Sequence, residues 1–354
     1  MRSSLIALAL LSSSSVAAQP LPLNVGGRVI EDRDGGLSFG WPGVYFEGRF
    51  SGTGVRVRLE GRNEHLRLLV DGEEKLRFRD VGRADVAVEA LPPGEHVVRL
   101  EKLSESQTGG GRFLGFVPTG DGVPLPARPR VRQIEFIGDS FTAGYGIMSP
   151  VRECTKREVH DLTDTQQTYG PLVARHYDAD YRVHAYSGFG IVRNYAGGSP
   201  GLSLPRVYSR LKPDESRRLD RADPRWRPQL IVIKLGTNDF STPLQPGEAW
   251  GDKAQLGVDY RSAYAGFLRT LRSRHPAARF ILLGGEDWFP LVEEVAAAAN
   301  RAVPGLAVAL NYGELERTAC DWHPSLADNR KLAQQVIHAI ERLSPFRQEP
   351  PRRG

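Results

Sequence analysis

The stretch IEFIGDSFTAGYG, residues Ile134 to Gly146, decides how this chain is read. Its apolar-rich opening, Ile134–Ile137, has the composition of a buried strand. The strand runs into Gly138-Asp139-Ser140 and then into small and glycine residues. A serine placed where a strand gives way to a helix exposes its hydroxyl at the edge of a site, and glycines let the backbone turn tightly there. A free hydroxyl is a weak nucleophile and needs a base. Taken alone, the same segment also fits a plain turn whose serine caps a helix.

Three later segments supply what such a serine needs. In HAYSGFGIVRNY, His184 to Tyr195, Gly188 follows a predicted strand, where its backbone N–H can point at an oxyanion; an ordinary loop glycine would look the same. In LIVIKLGTNDF, Leu230 to Phe240, a buried strand ends at Gly236-Thr237-Asn238-Asp239. The Asn238 amide can donate to an oxyanion, whereas a self-closed Asn–Asp turn is the plainer reading. In ACDWHPSLADNRKLA, Ala319 to Ala333, His323 stands before Pro324 and a predicted helix. An imidazole of ordinary pKa, ~6.5, accepts a proton near neutral pH, although a surface histidine before a helix also fits.

From Gln133 onward strands alternate with helices. Ile134–Ile137, Tyr181–Ala185, Leu230–Leu235, Arg279–Gly284 and Leu306–Leu310 read as buried strands. Pro290–Ala302 and Ser325–Leu343 read as helices, and Tyr260, Tyr264, Phe267, Leu268 and Leu271 share one helical face. This alternation predicts an α/β domain, 133–344, with a parallel sheet covered on both sides, whose ligands bind at the carboxyl ends of the strands. All four segments fall there.

The preceding region, 25–123, has period two. Val55, Val57 and Leu59 alternate with Arg56, Arg58 and Glu60, and Val44, Phe46 and Phe50 alternate with Tyr45, Glu47 and Arg49. Asp71-Gly72 between two apolar runs is a hairpin signal. An all-β sandwich, jelly-roll-like, is expected. A linker rich in proline and arginine, 124–132, joins the two domains, and a disordered tail is expected over 345–354.

The 354 residues exceed one domain of usual size. At the N-terminus, Arg2, the apolar Leu5–Leu11 and Val16-Ala17-Ala18 form a secretory signal pattern over 1–18, so the protein is expected to be exported, periplasmic or extracellular. No segment is long and apolar enough to span a bilayer. The formal charge is +5, but the densest basic region, Arg206 to Arg227, also holds Asp214, Glu215, Asp220 and Asp223. Interspersed charges cancel the long-range field, so nucleic acid is not an expected partner. No metal-ligand spacing or phosphate-binding glycine loop occurs, and no cofactor or metal is expected.

Gly-Asp-Ser, Ser-Gly, Gly-Thr-Asn-Asp and Asp-x-His-Pro, in this order, resemble the four blocks of the SGNH (GDSL-type) hydrolase superfamily, over Gln133 to about Leu343. With the sandwich in front, the chain looks most like carbohydrate esterase family 2, whose members remove acetyl groups from plant polysaccharides. The resemblance implies Ser140 as nucleophile and His323 as base, with the Ser140 N–H, the Gly188 N–H and the Asn238 side chain as oxyanion hole. One departure stands out. The superfamily places an aspartate three residues before the histidine, where this chain has Cys320; Asp321 is only two before. Asp321 remains a catalytic candidate, but the family includes Ser–His dyads whose histidine is held by a backbone carbonyl, and the Trp322 carbonyl is expected to serve here.

Tyr195 and Trp288 are candidate platforms for a sugar ring, or alternatively core or rim aromatics. Asp139, Arg193 and Asp239 read as supporting residues. The only cysteines, Cys154 and Cys320, flank the nucleophile and the base, so the meeting of Ser140 with His323 brings their loops together. In an oxidising compartment a disulfide between them is expected, clamping the histidine loop. The expected activity is removal of O-acetyl groups from carbohydrate through an acyl-enzyme. The alternatives are a lipase, thioesterase or lysophospholipase on the same fold, or a non-catalytic carbohydrate-binding protein.

Overall fold

The computed structural model describes residues 19–105, 110–213, 215, 223–285, 287–343 and 346. The expected signal peptide, 1–18, and all of the expected tail, 345–354, except Phe346 lie outside them. The Phe346 ring packs on Tyr177 at 5.2 Å between centroids.

The N-terminal half is a sandwich of two antiparallel sheets. One sheet runs Leu23–Gly26, Tyr45–Gly52, Gly94–Lys102, Leu66–Val70, Glu73–Phe78, with Val123–Leu125 also pairing to Tyr45–Gly52. The other runs Val29–Glu31, Leu37–Phe39, Gly110–Pro118, Val55–Arg62, Arg83–Val88. Along Val55–Leu59 the apolar residues are buried and the arginines exposed, as period-two patterning requires. They join Phe39, Phe46, Leu100, Phe113 and Phe116 in one core. The Leu66–Val70 and Glu73–Phe78 strands turn through Asp71 (φ 53°) and Gly72 (φ 81°), both left-handed, which suits a tight hairpin.

The Tyr45–Gly52 strand departs from simple alternation. Tyr45 and Glu47, expected to face outward, are buried because their side of the sheet abuts the second domain. The Tyr45 hydroxyl donates to Asp180 at 2.6 Å, and Glu47 pairs with Arg99 at 2.9 Å and Arg130 at 3.0 Å. Arg130 also meets Asp178 and Asp180, so the segment expected as a linker, 124–132, is pinned to this seam through Arg130, while Val131 beside it stays exposed.

The second domain has the five expected strands, all parallel, in the order Ala179–Ala185, Arg132–Gly138, Leu230–Lys234, Arg279–Gly284, Ala307–Asn311. Every residue of Leu230–Lys234 is buried. Since successive side chains point to opposite faces, both faces of the sheet are covered. The helix Tyr169–His176 packs against Leu326–Leu343, and Lys253–Arg274 packs against Phe289–Ala302. The predicted stripe Tyr260, Tyr264, Phe267, Leu268 and Leu271 is buried. The second strand lies on one side of the first and the third on the other, so the chain reverses direction across the sheet at Arg132–Gly138. Such a switch point opens a crevice at the carboxyl ends of the strands.

Candidate active site

Gly138 is paired in register with Ala185 on one side and Lys234 on the other. Three loops therefore leave the sheet at one level, carrying Ser140, Gly188 and Asn238. The Asp139 carboxylate stiffens the first loop. It accepts from the Phe141 N–H at 3.1 Å and from the Lys234 ammonium at 3.0 Å, with both ionic side chains fully buried. Ser140 is 8% exposed.

The Ser140 hydroxyl lies 2.8 Å from His323 Nε2. On the other side of the ring, Nδ1 faces the Cys320 carbonyl at 2.9 Å and the Asp321 carbonyl at 3.1 Å. Carbonyls only accept, so Nδ1 carries the proton and Nε2 presents its lone pair to the hydroxyl. Burial lowers the pKa of His323, against the opposing pull of these carbonyls, which favours the neutral ring.

Two expectations about this ring need correction. The carbonyls on Nδ1 belong to Cys320 and Asp321, not to Trp322, and the Asp321 carboxylate does not reach the ring. The carboxylate instead accepts from the Tyr145 hydroxyl at 2.8 Å. The reason is backbone geometry: Asp321 (φ 49°) and Trp322 (φ 61°) are both left-handed, and this tight turn folds the preceding carbonyls back onto the imidazole. Tyr145 packs its ring over His323 at 4.2 Å, nearly parallel.

The expected disulfide is present, with Cys154 and Cys320 Cα atoms 5.4 Å apart. The Asp321 N–H donates to the Arg152 carbonyl at 2.7 Å, and the Arg152 side chain donates to the carbonyls of Arg317 and Glu316. Together these contacts tie the strained histidine turn to the segment after the serine. Gly146 (φ 55°) must be glycine here, since a Cβ would fall 2.5 Å from that of Cys320.

Gly188 (φ 83°) sits in a loop held by Asp239, whose buried carboxylate accepts from the N–H groups of Ile191, Val192 and Arg193 at 2.9–3.0 Å. Burial pushes Asp239 up to about 6 against those three bonds. Arg193 fastens the same loop to Thr242 and Glu248. The Asn238 amide donates one hydrogen to the Phe189 carbonyl at 2.8 Å, leaving its second available. Among the described residues, the Gly188 N–H donates to no protein acceptor.

Beside the serine opens a cleft of about 420 Å³, lined by Phe141, Asp287, Trp288, Tyr312, Glu314 and Arg317. Trp288, although it lines this cleft, is only 7% exposed and packs near Phe240 and Tyr312. Tyr195 is 59% exposed. So is Trp322, at 60%, with the Arg152 guanidinium 3.8 Å from its ring centre. Sequence reasoning missed the Trp322 side chain and Tyr145. Their only signals were an aromatic directly before the histidine and one in the turn after the serine.

Among the described residues one group, His65, His160 and Asp161, has ligand-type atoms within 4.8 Å of one another. His65 Nδ1 accepts the Asp80 N–H, so its Nε2 carries the ring proton toward Asp161 and has no lone pair for a metal. Among the described residues, no helix is long and apolar enough to cross a membrane.

Comparison with known proteins agrees with this architecture. Residues 25–127 match the carbohydrate esterase 2 N-terminal family, and residues 136–338 match the GDSL-like lipase/acylhydrolase family. The chain is 41% identical over 350 residues to an acetylxylan esterase / glucomannan deacetylase of Cellvibrio japonicus, covering 95% of this chain and 96% of that protein. A solved carbohydrate esterase, described as having an active site with divergent catalytic and non-catalytic binding functions, superposes with a TM-score of 0.86 at 39% identity, covering 92% of this chain and 98% of that one. A family two carbohydrate esterase from Clostridium thermocellum, solved in complex with cellohexaose, superposes with a TM-score of 0.79 at 27% identity, covering 91% and 99%. With both halves matched in order and a relative of this identity aligned end to end, the chain belongs to carbohydrate esterase family 2, a family of carboxylic ester hydrolases on the GDSL-type fold.

Proposed function

We propose that this protein removes O-acetyl groups from carbohydrate, with Ser140 as nucleophile and His323 as base. The observation that carries the reading is the 2.8 Å contact between the Ser140 hydroxyl and the unprotonated nitrogen of an imidazole oriented by two carbonyls. His323 Nε2 takes the hydroxyl proton as Ser140 Oγ attacks the acetyl carbonyl. The Ser140 N–H, the Gly188 N–H and the Asn238 amide receive the oxyanion. The bond to the sugar oxygen breaks, His323 returns its proton to that oxygen, and acetyl-Ser140 remains. A water then attacks by the same route and acetate leaves.

The carbohydrate reading draws on the character of the cleft beside the serine, which carries Asp287, Glu314 and Arg317 rather than a wide apolar wall for an acyl chain. Exposed Tyr195 and Trp322 add flat surfaces suited to sugar C–H faces. The 41% identical relative is named an acetylxylan esterase / glucomannan deacetylase, which makes acetylated xylan and glucomannan the first substrates to try. Export is part of the proposal, supported by the signal pattern over 1–18 and by a disulfide of the kind that persists in oxidising compartments.

Acetate release from these polymers by the wild-type protein and by Ser140→Ala tests the reading. A folded Ser140→Ala protein is expected to be inactive; full activity would overturn the mechanism. A series of nitrophenyl esters should favour acetate over longer acyl chains, and a preference for long chains would point to a lipase.

A further inference from the structure

The loop that carries Gly188 is anchored at both ends, and the two anchors come from different domains. Beyond Gly188, Asp239 of the α/β domain collects the N–H groups of Ile191, Val192 and Arg193. Before it, the anchor is Glu105, just past the Gly94–Lys102 strand of the sandwich. One Glu105 oxygen accepts the Ser187 N–H at 2.6 Å, and the other accepts the Ser187 hydroxyl. With its backbone nitrogen and its side chain both held, Ser187 has little freedom except ψ. That angle sets the plane of the next peptide, which carries the Gly188 N–H. Beyond the peptide, the Gly188 carbonyl accepts from the Tyr195 N–H at 2.8 Å, and the Phe189 N–H returns to the Tyr186 carbonyl at 3.1 Å.

We infer that Glu105 is a positioning residue for the oxyanion hole, and that the sandwich is therefore part of the catalytic apparatus rather than a separable sugar-binding module. The inference rests on the role proposed above for the Gly188 N–H. An oxyanion donor acts by being aimed before charge develops, so loosening its peptide lowers turnover while substrate binding is largely kept.

The test uses the full-length protein with nitrophenyl acetate. Removing an oxyanion donor outright costs ~100- to 1,000-fold in kcat, so misaiming one through Glu105→Ala is expected to cost about 10- to 100-fold, with KM within about threefold. Glu105→Gln keeps one acceptor oxygen and should recover part of that loss. Arg130→Ala cuts a different part of the domain seam, its pairs with Glu47, Asp178 and Asp180, and should lower Tm without changing kcat. A Glu105 that merely glued the domains together would behave like Arg130.

The inference is overturned if folded Glu105→Ala keeps kcat within about twofold of wild type, or raises KM at unchanged kcat. If Glu105→Ala does not fold, Glu105→Gln and Ser187→Ala carry the test. Each is expected to lose about two- to tenfold in kcat, the scale of one hydrogen bond, and no loss in either would overturn the inference. Ser140→Ala run in parallel separates the failures. Activity there would sink the serine mechanism itself, whereas an inactive Ser140→Ala beside an unimpaired Glu105→Ala would sink only this role for Glu105.

Discussion

Asp321→Asn separates two ways of orienting the base. In a triad the aspartate carboxylate holds the imidazole tautomer, and its amide replacement costs ~10,000-fold in kcat. Here Nδ1 donates to the Cys320 and Asp321 carbonyls, which the substitution leaves in place. What changes is the acceptor for the Tyr145 hydroxyl, 2.8 Å from the carboxylate. That phenol is held protonated, its pKa raised by burial and then by Asp321 itself. An asparagine carbonyl can still accept from it. The loss is the difference between a charge-assisted and a neutral hydrogen bond, about 1 kcal/mol. Even if all of it reached the transition state through the Tyr145 ring stacked on His323, turnover would fall only about fivefold. The assay is the initial rate of acetyl ester hydrolysis at saturating substrate, with circular dichroism as a check on folding. A collapse approaching ~10,000-fold in a folded protein would show that the carboxylate orients His323 after all.

Replacing both cysteines with alanine opens a loop of 166 residues, for which chain entropy alone gives a loss of about 5 kcal/mol as an upper estimate. Denaturant melts should show the loss, and turnover of the folded fraction should also fall because the left-handed turn at Asp321 loses its clamp; unchanged stability would refute the clamp. The pH profile follows from the direction of the His323 shift. Burial lowers its pKa, the base works only when neutral, and activity therefore disappears as pH falls through that lowered value. The acid limb of kcat/KM should have its midpoint below ~6.5, the ordinary histidine value, and a midpoint above it would contradict the burial argument.

Much of this protein was legible in the chain alone. The inner strands of the α/β domain, Leu230–Lys234 and Arg279–Gly284, are short runs rich in buried apolar residues, and Ser140, Gly188, Asn238 and His323 stand at fixed offsets from strand ends or a helix start. Both are local signals, carried by side-chain periodicity and by turn chemistry within a few residues. The pairing of Cys154 with Cys320 was also accessible, because the two loops had to meet wherever Ser140 met His323. What only the tertiary structure decided depends on dihedral angles and on partners distant in sequence. The left-handed angles of Asp321 and Trp322 turn two carbonyls onto His323 and send the Asp321 carboxylate to Tyr145, and no composition rule predicts two consecutive such residues without glycine. Trp288 fits either a sugar platform or a core aromatic in sequence, and the packing of Phe240 and Tyr312 decides how far it is buried. Tyr45 and Glu47 read as solvent-facing until the second domain covers them. Glu105 stands in none of the sequence motifs, and its clasp on Ser187 exists only because the sandwich and the α/β domain share a face.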